Sequence, residues 1–249
     1  MQLDEAQGVL LEPGLGGKLE RPELLMYEIQ RGPDDRVVAP HIHREHADAF
    51  YVLEGEMDFH VAGKTVRASA GWFVLSPPGV VHGLGPGSAR MLNFHAPGAP
   101  YVGRSDTYDP PEDGSKGQGV VVAPDEGERL VDQHRVAYIK GTLPALTLSV
   151  FELEPGFEGP DPHEHEEDVD SFYVLEGEVE FLLGEQTVRV GSGGFAAAPP
   201  AFVHTFNLAG SAPARLLNMH SPDAGFADFL RSQSSALTGR ADGHQRDGS

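Results

Sequence analysis

Along the chain, apolar and polar positions alternate in short runs broken by glycine and proline. Phe50-Tyr51-Val52-Leu53 is aromatic and β-branched, ends at Glu54-Gly55-Glu56, and resumes as Met57-Asp58-Phe59-His60-Val61. That is the pattern of strand, turn and strand. Gly63-Lys64 marks the next turn, and Thr65 to Arg67 starts another strand. Gly71 precedes Trp72-Phe73-Val74-Leu75, and Pro77-Pro78-Gly79 punctuates before Val80-Val81-His82. Short strands at regular spacing predict an all-β antiparallel sandwich or barrel. Helical spacing is confined to the stretch after Pro222, where Phe226, Phe229 and Leu230 predict one short amphipathic helix. The polar, Gly-rich residues 237–249 are expected to form a disordered tail.

The pattern occurs twice. HIHREHADAFYVLEGEMDF, from His41, matches HEHEEDVDSFYVLEGEVEF, from His163, and the offset of 122 residues holds without a gap to His82 and His204. After a three-residue insertion, Asn93-Phe94-His95 meets Asn218-Met219-His220. Between the copies runs RSDTYDPPEDGSKGQG, rich in Asp, Pro and Gly, which reads as a linker. The expected organisation is an N-terminal domain over residues 1–103, a linker over 104–118, a C-terminal domain with its helix over 119–236, and the tail. The second copy also carries LVDQHRVAYIKGT, which the first lacks.

Composition narrows the function classes. Gly 31 and Pro 20 make about a fifth of the chain, well above the roughly 12% average, in keeping with many turns. Asp and Glu total 38 against 18 Lys and Arg, a net charge of −20, which argues against a nucleic acid or an anionic membrane as partner. The absence of cysteine excludes disulfides, a thiolate metal site and a cysteine nucleophile. The acidic N-terminus has no apolar run of signal-peptide type, and no stretch is long enough to span a bilayer, so a cytoplasmic location is expected.

The candidate chemistry lies in histidines and aspartates. His41 and His43 leave the same face of an extended strand, about 6.5–7 Å apart along the chain. Asp48 has the wrong parity for a straight continuation, so residues 44–47 must turn or bulge before Asp48 opens the next strand, with Phe50 and Val52 on its face. His82 could return from a distant strand to the same place. The second copy repeats all four as His163, His165, Asp170 and His204. Imidazoles with one carboxylate and no thiolate suit Fe, Mn, Ni, Cu, Co or Zn, and four ligands leave open positions for a substrate.

These motifs resemble the two-part signature of the cupin superfamily. Its first part, H-x-H, four residues, an acid, six residues and Gly, is met by His41, His43, Asp48 and Gly55. Its second part, Gly, five residues, Pro-x-Gly, two residues and His, is met by Gly71, Pro77, Gly79 and His82. The second copy matches with His163, His165, Asp170, Gly177, Gly193, Pro199 and His204, but has Ala201 where the pattern has Gly. Both copies carry Asp where the family usually has Glu. The resemblance implies a bicupin, two tandem double-stranded β-helix (jelly-roll) barrels with up to one divalent metal per barrel, held by three His and one acid. It further implies activity of the quercetinase-like dioxygenase kind on a small aromatic or enol-type substrate such as a flavonol, with Asp48 taking a proton from the substrate. A non-catalytic ligand- or metal-binding protein, or a cupin decarboxylase or isomerase, is the alternative. Decarboxylation ranks lower because no inward arginine is evident beside the metal. A homodimer is left open.

Other residues read differently. His95 and His220 are expected to make structural hydrogen bonds, Arg90 and Arg215 to form outward salt bridges, His46 to lie on the surface, and Trp72 to pack. Glu158, Asp161, Glu164, Glu166, Glu167 and Asp168 surround the second site with negative charge, so an organic substrate is expected in the first copy.

Overall fold

Alternating apolar side chains, interrupted at turns, build eighteen strands and one helix among the residues that the computed structural model describes, 8–98 and 117–241. In chain order the strands are β1 (Val9–Leu11), β2 (Gly16–Glu20), β3 (Leu25–Arg31), β4 (Val38–His41), β5 (Ala47–Val61), β6 (Lys64–Ser69), β7 (Phe73–Ser76), β8 (His82–Ala96) and β9 (Val120–Val122). The remainder are β10 (Glu128–Asp132), β11 (Arg135–Leu143), β12 (Leu146–Leu153), β13 (Val169–Glu176), β14 (Glu178–Leu183), β15 (Gln186–Gly191), β16 (Phe195–Ala198), β17 (His204–Leu208) and β18 (Ala214–Ser221), followed by α1 (Phe226–Ala241). They divide into two compact units, Pro13–Gly127 and Glu128–Ser249 together with Met1–Glu12.

In the N-terminal unit the sheet order is β2-β3-β8-β5-β7-β9, with β4 on β8 and β6 on β5. Phe50, Val52, Met57, Phe59 and Val61 of β5 supply one side of the core and meet Val74, Leu84 and Met91. Each such side chain contributes about 1.5–3 kcal/mol when taken out of water. The C-terminal unit has a seven-stranded sheet, β1-β16-β13-β18-β12-β11-β10, and a three-stranded one, β15-β14-β17. Phe151, Phe172, Phe181 and Phe206 lie at its centre, with Ala227 and Leu230 of α1 packed into the same cluster.

The motif glycines carry the chain past bulges. The β5–β8 register slips between Val52 and Glu54, and the β13–β18 register between Val174 and Glu176. Beside them Gly55 and Gly177 have φ of 74° and 78°, and a Cβ there would lie 2.1 Å from the Ser88 carbonyl oxygen and 2.6 Å from that of Pro213. Glycine alone fits such a place.

Several boundaries differ from the sequence expectation. Residues 9–11, expected in the N-terminal domain, pair as β1 with β16, while β9 pairs with β7. The extra segment of the second copy gives its sheet three strands, β10 to β12, before the repeat, where the first has β2 and β3. The helix continues through residues 237–241, expected to be disordered, and the rest of that tail lies outside the described residues, as do linker positions 104–116. No helix among the described residues is long and apolar enough to cross a membrane.

Candidate metal centres

Strand pairing brings the two parts of each motif together. In the N-terminal unit His41 of β4 stands opposite His82 of β8, and Asp48 of β5 lies between Ser76 of β7 and His95 of β8. Asp48 shares its face with Phe50 and Val52, so the alternation that buries those two also carries the carboxylate inward. The Nδ1–H of His41 donates to the Ala39 carbonyl at 2.9 Å and that of His82 to the Val80 carbonyl at 2.9 Å, which turns both Nε2 atoms toward the centre. There, His41 and His43 Nε2 are 3.2 Å apart, and Asp48 Oδ2 is 3.2 Å from His82 Nε2 and 3.9 Å from His43 Nε2. Asn93 Nδ2 donates to the other oxygen, Oδ1, at 2.6 Å and fixes the carboxylate plane.

The C-terminal unit repeats the arrangement. His163 and His204 pair through backbone bonds of 3.0 and 2.8 Å, and their Nδ1–H groups donate to the carbonyls of Asp161 and Phe202 at 2.8 Å each. Asp170 Oδ2 is 3.2 Å from His204 Nε2 and 3.8 Å from His165 Nε2, and Asn218 Nδ2 donates to Oδ1. In both units the four donor atoms lie within 4.8 Å of one another. The shorter Asp side chain therefore reaches the cluster. All eight sequence-predicted ligands are brought together, four and four, and the donor sets fit a late first-row divalent ion.

The electrostatics favour ligation. Burial holds the His41 and His165 imidazoles below their ordinary range and His43 down to about 3, so these rings are neutral near pH 7 with a lone pair to give. For His82 and His204 burial opposes the proton, but the hydrogen bond to the neighbouring aspartate and its charge outweigh it and raise both. Burial likewise works against ionised Asp48 and Asp170, yet the surrounding imidazoles bring both carboxyls below the ordinary aspartate value.

Some expectations are corrected. His46 is buried, not on the surface, and stacks on His43 at a centroid distance of 4.2 Å. Asp168, read as one of the acids that surround the second site with negative charge, is 3% exposed, with Oδ2 2.6 Å from Nδ1 of His220. His220 Nε2 in turn lies 3.2 Å from Asp170 Oδ1, and His95 Nε2 3.6 Å from Asp48 Oδ1, so both late-strand histidines border the sites. Asp168, His165 and His220 form a further group with metal-ligand spacing. Arg90 and Arg215 do form salt bridges, Arg90 to Glu28 and Glu54 at 2.6 Å each and Arg215 to Glu176 at 2.7 Å. Trp72 packs against the N-terminal core.

A cavity of about 550 Å³ opens onto His163, His165 and Asp170 of the C-terminal unit. Phe151, Phe157 and Phe206 line it, and Phe226 and Phe229 of α1 close one side, with Phe226 stacked on His220 at 3.4 Å. Arg135 lines it too, an inward arginine that the sequence reading did not find.

The cupin domain family model matches residues 28–95 and 149–220, so each unit carries one copy with its motif residues inside. The chain belongs to the cupin family. No curated protein matches this cupin by sequence. Its fold is similar to that of the protein YlbA from E. coli, with a TM-score of 0.66 and 16% identity over 88% of this chain and 92% of that one. Salicylate 1,2-dioxygenase from Pseudoaminobacter salicylatoxidans in complex with gentisate gives 0.60, 18%, 91% and 77%, respectively. Oxalate decarboxylase gives 0.61, 13%, 90% and 77%.

Proposed function

We propose that this cupin is a metal-dependent oxygenase acting on a small aromatic or enol-type substrate, of which a flavonol is one example, and that the C-terminal unit is its working site. The carrying observation is the aromatic-walled cavity that ends on His163, His165 and Asp170 of the C-terminal cluster. This reverses the expectation that the N-terminal copy takes the organic substrate. The acids counted against the second site include Asp168, whose carboxylate is turned inward onto His220.

Each cluster would hold one ion: His41, His43, Asp48 and His82 in the first unit, His163, His165, Asp170 and His204 in the second. A bound ion would supply Lewis acidity toward a substrate hydroxyl. The protein's own groups do the rest. Asp170, with Oδ1 held by Asn218, keeps Oδ2 directed at the cluster and takes the hydroxyl proton, and Asp48 with Asn93 is built in the same way. Phe151, Phe157 and Phe206 stack a planar substrate and keep water away. Deprotonation makes the substrate electron-rich, which is the condition for reaction with dioxygen. The dioxygenase among the structural neighbours supports this reaction class.

Oxygen uptake by metal-replete protein with catechols, flavonols and β-diketones tests the reading. We expect uptake with at least one class, its loss in His163→Ala/His165→Ala, and its retention in His41→Ala/His43→Ala. No uptake with any class, or loss only in the N-terminal variant, would overturn it.

A further inference from the structure

The cavity has a second polar end. Arg135 belongs to the segment that the first repeat lacks, and its side chain is 12% exposed. Its Nη2 donates to Asp132 Oδ2 at 3.2 Å, and the guanidinium carbon lies 5.1 Å from the centre of the Phe151 ring. Its Nε–H is buried and has no acceptor. A buried donor left without a partner is destabilising, and a guanidinium presents its N–H groups as a fork that fits a carboxylate. Burial pushes the Arg135 pKa down, yet such a group stays cationic at any working pH.

The sheet register places the Arg135 backbone well away from that of His220, which borders the His and Asp cluster. Arg135 stands opposite Leu153 on β12, whereas Thr147 on the same strand stands opposite His220. The six-residue step from Thr147 to Leu153 covers roughly 20 Å of extended backbone. The cavity touches both Arg135 and His220, and Phe151 of β12, which also lines it, stands between them in the register.

We infer that Arg135 binds the carboxylate of an elongated aromatic acid whose hydroxyl end faces His163, His165 and Asp170. This deepens the proposed function and rests on the C-terminal cavity being the substrate site. Asp132 acts as the resident counter-ion on Nη2, and the part of the guanidinium that lines the cavity is left for the ligand.

Binding to the full-length zinc-loaded protein, measured by calorimetry, tests this without turnover. The probes are caffeate, with a catechol at one end and a carboxylate at the other, and its uncharged methyl ester. Wild type should bind caffeate about tenfold or more tighter than the ester. Arg135→Met should bring caffeate to the level of the ester and leave the ester unchanged. Asp132→Asn, which removes the competing carboxylate, should tighten caffeate alone, and it decides the matter even where Arg135→Met folds poorly. Equal binding of both probes to wild type, or discrimination that survives Arg135→Met, would overturn the role of Arg135 while leaving the cavity as the substrate site. Failure of both probes to bind would remove the C-terminal substrate site, and this inference with it.

Discussion

Oδ2 of Asp168 lies 2.6 Å from Nδ1 of His220, and both side chains are buried beside the C-terminal cluster. The residue 122 positions earlier is His46, which stacks on His43 instead. Two sites with the same ligand set thus differ in what supports them. In one a carboxylate fixes the orientation of His220, and its Oδ1 lies 3.7 Å from His165 Nδ1. In the other an imidazole occupies that place. Groups that orient ligands typically change metal affinity about 10–100-fold when altered. Asp168→Asn should therefore weaken one of two metal sites by about that factor and leave the other unchanged. A chelator competition on the variant would show one early and one normal step, whereas identical release from wild type and variant would count against the role.

Metal content checks the clusters themselves. With one ion per unit, His41→Ala/His43→Ala and His163→Ala/His165→Ala should each lose one of two equivalents, and the four-site variant both. Elemental analysis after expression in metal-rich medium reads this directly. A wild type without metal would mean that the clusters are inherited geometry without an ion.

Ala201 bears on stability rather than on chemistry. It has φ of 59°, in the left-handed region occupied by Gly79 at 79° in the first copy. The amides of both residues donate at 2.6 Å to the carbonyl of a site histidine, His165 for Ala201 and His43 for Gly79. That bond holds the alanine in a conformation that costs about 1–2 kcal/mol, partly offset by its lower unfolded entropy relative to glycine. Ala201→Gly should gain about 0.5–1 kcal/mol, or roughly 1–4 °C in Tm for a chain of this size. Gly79→Ala, where a Cβ meets no atom within 4 Å, should lose a similar amount. Thermal denaturation of the two variants checks both signs.

The eight cluster residues were legible because period-two parity and an exact repeat constrain them twice over. Asp48 and Asp170 inherit their direction from the buried Phe50 and Phe172 two residues on. His46 and Asp168 escaped because they lie in the bend before β5 and β13, where parity does not set side-chain direction. The neighbours of β1 and β9 escaped for another reason. Val9-Leu10-Leu11 and Val120-Val121-Val122 are interchangeable as short apolar strands, and nothing local tells which sheet edge either will join. Arg135 was hidden by lacking a counterpart in the first repeat, so no comparison drew attention to it.

Acid should weaken the metal-free protein through His43. Its folded pKa of about 3 lies below the unfolded value of 6.5, so between these limits the unfolded chain binds a proton that the folded one refuses. Unfolding free energy then rises with pH across that window and is lost as pH falls. His41 and His165, also lowered by burial, act in the same direction. Asp48 and Asp170, held below 3.8 against their burial, add stability that disappears at the acid end. His82 and His204 are raised and oppose the trend, since their contribution is complete below 6.5 and is lost as pH climbs through their folded values. The metal-free Tm should thus peak near neutrality, falling toward pH 4 and more gently on the alkaline side. In His43→Gln, which cannot protonate, the acid limb should be shallower. A variant with an unchanged acid limb would show that His43 is not the group responsible. With metal bound the limb should steepen in wild type, because every ligand imidazole must lose its proton to hold the ion.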